Sequence, residues 1–244
     1  MWQETQALLQ HMLVGGDAAL FTPAQWATQL PETPVALRFL VQLDAEWHSA
    51  APPDALCVRV RQQVCARIES IPGDGSRQWG HTQRVTGMAV ALAAQAGVAP
   101  SLAYLAGVCH DVTKLEETET GEPHEVSSAR FVGSALRGEL PPGDVAAIQA
   151  AICKESDDAL ARLLHDADKL DKIGATGIVR RVSAYTDSLW LASALQRVAD
   201  DVADFPAMHF ATSRILAASK RAFLDWFLPL SRVVPRATPG HVLE

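Results

Sequence analysis

Turn signals recur along this chain at intervals that leave room for helices of ordinary length and little else. Pro31 to Pro34, Pro52-Pro53, Ile71-Pro72-Gly73-Asp74-Gly75, Gly97 to Pro100, Thr118 to Pro123 and Pro141-Pro142-Gly143 all read as turns. Between them lie segments of about 12 to 20 residues, a usual helix length, such as Trp79 to Ala96 and Asp144 to Lys154. Alanine, leucine and glutamine dominate, aromatic residues are 6%, and strand-like alternation is scarce. The expected fold class is therefore all-α.

At 244 residues, 48% of them hydrophobic, the chain fits one domain with an extension better than two average domains. The boundary falls near Ser49-Ala50-Ala51-Pro52-Pro53. Residues 1–54 read as an N-terminal helical extension, 55–230 as the main domain and 231–244 as a C-terminal tail. The first part holds Trp2, Leu8, Leu9, Met12, Leu13, Phe21, Trp26, Leu37, Phe39, Leu40 and Trp47. That is too much large apolar surface for a tail, so this part is expected to pack on the main domain; covering the active site and forming a homodimer face both stay open for it.

The net charge is −7, and no run rich in Lys and Arg occurs, so neither a nucleic-acid polymer nor an acidic membrane is an expected partner. A basic pocket for a small phosphorylated substrate stays open, because net charge does not report local fields. No signal-peptide layout opens the chain and no apolar run reaches the roughly 20 residues of a membrane span. A soluble cytoplasmic protein is expected. Cys57, Cys65, Cys109 and Cys153 lie far apart with no Cys-x-x-Cys pair, so free thiols are expected rather than a zinc knuckle.

The chemistry concentrates in Cys109-His110-Asp111-Val112-Thr113-Lys114 at the end of an apolar segment, which sets a nitrogen ligand beside a hard oxygen ligand. A single His-Asp pair says little. Here it is accompanied by His81 upstream, after the Gly-rich turn, by His124 downstream, and by Asp166-Ala167-Asp168-Lys169-Leu170-Asp171. On a helical wheel whose apolar face is Leu160, Leu163, Leu164, Ala167 and Leu170, Asp166 and Asp168 fall on opposite flanks, with Asp171 nearest the centre. Periodicity does not choose among them. Two nitrogens and two carboxylates without thiolate suit one divalent Mn, Fe, Co, Ni or Zn ion with open positions, not a closed structural zinc.

These residues resemble the HD superfamily of metal-dependent phosphohydrolases, whose ligands run His, then His-Asp, then Asp. The resemblance implies an HD-domain helical bundle with His81, His110, Asp111 and Asp168 as metal ligands. It prefers Asp168 to Asp166 because Ala167-Asp168-Lys169-Leu170 matches the family's context. The stretch from Leu164 to Ile178 looks like the Asp-Ala-Asp-x-Leu-Asp-x-Ile-Gly-Ala-x-Gly-Ile signature of one bacterial branch, and Phe210 to Leu228 is similar to that branch's last helix. The likeness spans roughly residues 55 to 230 of the sequence. For Asp171 the expected role is a buried partner of a basic side chain, since an unpaired internal carboxylate is costly.

On the substrate side, Lys114 stands three residues after Asp111, a spacing the superfamily repeats with the lysine facing phosphate. Arg84, one turn after His81, is a candidate phosphate contact or an ion-pair partner. Glu116 and Glu117 follow in a polar loop and are expected to face solvent. His124 matches a position at which relatives contact phosphate or ligate a second metal. Where the family usually has a further histidine after Ala-Ile-x-x, Ala151-Ile152-Cys153-Lys154 is followed by Glu155. That departure favours one ion over two, with His124 and Glu155 lining the cleft and Lys154 adding positive charge or standing exposed.

The expected function is hydrolysis of a phosphomonoester, or of a nucleotide's phosphate or pyrophosphate linkage, by metal-activated water. Asp111, Lys114 and His124 are the expected catalytic groups. Arg84, Lys114, His124 and Glu155 would bind the substrate, with nucleotide preference resting on resemblance. The competing readings are a diiron HD-type oxygenase and a non-catalytic nucleotide-binding regulatory module.

Overall fold

The computed structural model describes residues 39, 42–44, 46, 48–71, 75–183, 190–203 and 205–231. Most of the expected N-terminal extension, together with the tail after residue 231, lies outside the described residues. The described chain is helical throughout. Its elements are α1 (Ala55–Glu69), α2 (Gly75–Ala96), α3 (Pro100–Cys109), a 3-10 turn (Lys114–Glu116), α4 (Glu117–Thr120), α5 (His124–Ala135), α6 (Pro142–Cys153), α7 (Ala159–Leu170), α8 (Gly174–Val182), α9 (Trp190–Ala203) and α10 (Ala211–Ser231). Among the described residues no strand forms and no helix is long and apolar enough to cross a membrane.

Local sequence explains the helix ends. Asp54 accepts from the Cys57 amide at 2.8 Å to cap α1, and Asp158 accepts from the Ala161 amide at 2.9 Å to cap α7. Pro100 and Pro142 stand in the first turns of α3 and α6, where their missing N–H costs nothing. The turns expected at Gly97 to Pro100 and Pro141 to Gly143 thus overlap helix starts, because proline stops one helix and opens the next.

α2 is the spine. It packs on α3, α7 and α1, and its approach to α3 is close because Gly107 lies against Thr86, whose Cα would be 2.8 Å from an added Cβ. The core includes Val85, Leu92, Leu105, Val108, Leu163 and Leu170, all buried, each worth about 1.5–3 kcal/mol of burial. The apolar face expected of α7 is buried as read, Leu160, Leu163, Leu164, Ala167 and Leu170 alike.

The described residues upstream of α1 pack on α8 and α10. Phe39 lies 5.9 Å from Phe223 and 5.6 Å from Phe227, ring centre to ring centre. Glu46 is buried and accepts from the Ala175 and Thr176 amides at 3.1 and 2.9 Å, from Thr176 Oγ1 at 2.8 Å and from Lys220 Nζ at 2.8 Å. It therefore caps α8 and joins it to α10. Gly174 makes the cap possible: its φ is 81°, and a Cβ there would run into the Glu46 carboxylate.

Candidate metal centre

His81 lies well inside α2, from which its buried ring faces the end of α3. His110 is the C-cap of α3, with φ −56° and ψ −37°, and Asp111 lies in the turn that follows. The turn is tied to α5 through Thr113, whose hydroxyl lies 3.1 Å from the His124 carbonyl and 2.9 Å from Ser128 Oγ. One short loop thus positions His110, Asp111 and His124 together.

The two histidines present their Nε2 atoms to each other at 3.2 Å. His110 Nδ1 donates to the Gly107 carbonyl at 2.7 Å, and His81 Nδ1 donates to the Asp171 carboxylate at 2.7 Å. A carbonyl and an ionised carboxylate are acceptors only, so these bonds assign the proton of each neutral ring to Nδ1. Both Nε2 lone pairs then point into the same space. Asp111 Oδ2 joins them at 3.5 Å from His81 Nε2 and 3.7 Å from His110 Nε2. Ligands about 2.1 Å from a tetrahedral ion stand about 3.4 Å apart, so these separations would let the atoms share one ion. Asp168 Oδ1 reaches the group from α7, 3.6 Å from His81 Nε2.

Electrostatics make the donor set ready for a cation. Burial pushes the His110 pKa below its ordinary value, keeping the ring neutral. Burial opposes ionisation of Asp111, yet His110, His124 and His81 outweigh it and hold the carboxyl far below the usual range. Burial likewise opposes ionisation of Asp168, and Lys172, at 3.0 Å, with the two histidines reverses it. The thiols stay out of this chemistry: all four are free, and burial pushes Cys57 up to about 12.

Asp171 supports the centre from behind. Besides His81 it accepts from Arg84 Nε at 2.6 Å and from a second Arg84 nitrogen at 3.1 Å, with Arg180 3.4 Å away. Arg84 is buried and is not among the residues that line the cleft. Asp171→Asn is expected to weaken divalent-metal affinity by about 10–100-fold, the usual cost of losing a carboxylate that orients a ligand histidine; metal titration of the two proteins checks it. Asp166 points elsewhere, to the His209 and Phe210 amides at 2.9 and 3.1 Å.

Both buried carboxylates make the fold acid-sensitive. Burial opposes ionisation of Asp171, but Arg84 and His81 hold its carboxyl below the usual range. Asp166 is held there by its histidine and backbone hydrogen bonds against the same opposition. Their stabilisation is full above the unfolded carboxyl pKa of about 4 and is lost as pH falls toward the folded values. The melting temperature of the metal-free protein is expected to hold above about pH 5 and drop steeply below about pH 4; thermal melts across that range test this.

Residues 79–173 match the family model of the HD domain. That span contains His81, His110, Asp111 and Asp168. Among solved structures the chain is similar to a predicted HD superfamily hydrolase from an uncultured Thermotogales bacterium, at 23% identity and TM-score 0.54 over 72% of this chain and 91% of that one. It is also similar to an HD-superfamily hydrolase from Bacillus thuringiensis, at 19% identity and TM-score 0.57 over 75% and 97% of the two chains. A third is Bacillus subtilis YpgQ in complex with ADP, at 20% identity and TM-score 0.52 over 74% and 98%. The all-α bundle is thus the HD-domain fold. No curated protein matches the sequence.

A cavity of about 320 Å³ has His110, Asp111 and Asp168 among its lining residues. Lys114, Lys154, Lys169, Lys172, Arg162 and Arg180 also line it, with Glu125 and Asp157 as further acids. In a chain of net charge −7 this is a local reversal of sign. His124 Nε2 lies 3.2 Å from Asp111 Oδ1 and 2.9 Å from Lys114 Nζ, while its Nδ1 lies 2.9 Å from Glu117. Burial opposes a charged His124 ring, but Asp111 raises its pKa above the ordinary value.

Glu155 is exposed and is not among the lining residues, whereas Lys154 beside it is, although it also pairs with Glu125 at 2.7 Å. Glu117 faces His124 and Glu116 pairs with Arg67, so neither simply faces solvent. Lys172 and Arg180 escaped sequence reasoning. Lys172 carried a signal, its spacing of four residues after Asp168, and it meets Asp168 from the turn just past α7; Arg180 carried none, because α8 brings it in from a separate helix.

Proposed function

We propose that this chain is a metal-dependent phosphohydrolase that cleaves a phosphomonoester or a nucleotide's phosphate or pyrophosphate linkage. The observation that carries this is the pair of imidazole Nε2 lone pairs at 3.2 Å with the Asp111 carboxylate beside them. Two such lone pairs repel unless an electrophile lies between them. His81, His110, Asp111 and Asp168 would hold one divalent ion of Mn, Fe, Co, Ni or Zn, consistent with an all-nitrogen-and-oxygen set. When bound, that ion supplies Lewis acidity and a water acidified toward neutrality.

The residues around it supply the rest. Lys114, Lys154 and Lys172 face the space in which phosphoryl oxygens would sit, and their mutual repulsion is relieved by an anion. Burial and the neighbouring Lys172 already lower the Lys169 pKa, a sign that positive charge is crowded here. His124, held between Asp111 and Glu117, is placed to donate a hydrogen bond or a proton to the departing oxygen. Asp111 orients His124 and would also help hold the ion. Arg84 would act through Asp171, not on the substrate. The ADP bound in the YpgQ structure supports a nucleotide as the occupant of such a cleft.

A two-metal centre has one observation in its favour, since Glu117, His124 and Glu125 each offer an atom within 4.8 Å of the others. Oxygen consumption with iron would mark the oxygenase form of that centre. The test of the main reading is release of phosphate and pyrophosphate from a panel of nucleotides and sugar phosphates, by metal-stripped protein reconstituted with Mn²⁺, Co²⁺, Ni²⁺, Zn²⁺ or Fe²⁺. Turnover of one substrate class with a definite metal requirement is expected. Metal binding without any release would favour a regulatory module or the oxygenase.

A further inference from the structure

His165 and Asp166 of α7 meet His209 from the segment before α10, and the two histidines line the cleft. Asp166 is fully buried, and its position is set by backbone amides: His209 N–H lies 3.1 and 2.9 Å from its two oxygens and Phe210 N–H 3.1 Å from Oδ2. Both imidazoles turn toward Oδ1. His209 Nδ1 is 2.8 Å from it and His165 Nδ1 is 3.3 Å. The rings stand 5.0 Å apart at 84°, so they converge on the carboxylate and do not stack.

We propose that His165, Asp166 and His209 form a second metal-binding site, on the cleft rim, for a first-row divalent ion such as Ni²⁺, Co²⁺ or Zn²⁺. One donor atom from each residue lies within 4.8 Å of the other two. The oxygen-to-nitrogen separations of 2.8 and 3.3 Å bracket the roughly 3.0 Å between neighbouring ligands of an octahedral ion bound at about 2.1 Å. Two imidazoles and one carboxylate are a donor set that first-row divalent ions favour, and it leaves further positions for water or substrate.

Charge points the same way. Lys114 lies within ion-pair reach of Asp111, Lys172 of Asp168, and Arg84 of Asp171. Among the described residues the ion-pair partners of Asp166 are His165 and His209 alone. Its compensation comes from amides, imidazoles and the Ser213 side chain, or from an ion that those imidazoles help to hold. The imidazole side chains are each 33% exposed, so the ion can enter from the cleft without any opening of the core. The buried carboxylate is already oriented, which lowers the cost of assembling the site.

The experiment is a Ni²⁺ titration of the full chain after chelation, followed by calorimetry, with Co²⁺ visible absorption as a second signal of ligand geometry. Wild type is compared with His165→Gln, with His165→Gln/His209→Gln and with His110→Ala/Asp111→Ala. Two equivalents in wild type are expected, one of them weakened at least about tenfold in His165→Gln and lost in the double glutamine variant. The other should be lost in His110→Ala/Asp111→Ala. Glutamine at position 165 keeps every backbone bond to Asp166, so that variant reports even if His209→Gln loosens the fold. Unchanged Ni²⁺ stoichiometry and affinity in His165→Gln would overturn the rim site and leave the inner centre standing. A single wild-type equivalent lost only with His165 and His209 would support the rim site while removing the inner one.

Discussion

Asp111→Ala is expected to abolish metal-dependent turnover while leaving the helical fold intact. The carboxylate stands 3.5 and 3.7 Å from the two Nε2 atoms and 3.2 Å from His124 Nε2, so its removal would take away the proposed ion's oxygen ligand and the partner that raises the His124 pKa. An ion that contributes several kcal/mol of transition-state stabilisation accounts for about 10³-fold in rate, and the loss should reach at least that. Asp111 caps no helix and fills little core volume, so circular dichroism and melting temperature should change little. Phosphate release measured at saturating metal is the check. Activity within a factor of a few of wild type would remove Asp111 from the site.

Glu46→Ala should have the largest effect on stability. Glu46 and Lys220 are both 3% exposed at the side chain and 2.8 Å apart. Removing the carboxylate leaves a buried ammonium whose remaining partners among the described residues are the Ile173 carbonyl and Thr176 hydroxyl, at 3.4 and 3.2 Å, and uncaps α8. Breaking one side of a buried pair costs about 3–5 kcal/mol, which for a chain of this size lowers the melting temperature by roughly 10 °C. The effect should reach the cleft, because α8 carries Arg180 and follows directly on Asp171. Glu46→Leu/Lys220→Met should recover much of the loss, since burying neither charge avoids the penalty. A melting temperature unchanged in Glu46→Ala would show that the pair is not buried in solution.

Helix identity was legible because it depends on short-range facts. The apolar spacing of Leu160, Leu163, Leu164, Ala167 and Leu170 gave α7 its buried face, and Pro100 and Pro142 marked where α3 and α6 begin. Boundaries were less legible. The turn expected at Ile71 to Gly75 ends with Gly75 already inside α2, so His81 sits deeper in its helix than the turn signal implied. Periodicity could not choose among Asp166, Asp168 and Asp171 because all three fall within two turns of one helix end.

The separate destinations of those aspartates show where local pattern stops. Asp168 faces His81, Asp171 holds His81, Arg84 and Arg180, and Asp166 faces the His209 segment. The last two depend on partners 90 and 43 residues away in sequence, and Glu46 reaches 174 residues to Lys220. The sequence by itself determined the all-α class, the positions of most turns and the residue types able to hold a divalent ion, since each follows from neighbours within a few positions. Only the tertiary structure decided which carboxylate meets which histidine, that Arg84 is spent on Asp171, and that basic side chains from the C-cap of α6, from α7 and the turn after it, from α8 and from the α3–α4 turn gather in one cleft of an acidic chain. Those outcomes turn on the direction in which packed helices aim side chains, and no local spacing encodes that direction.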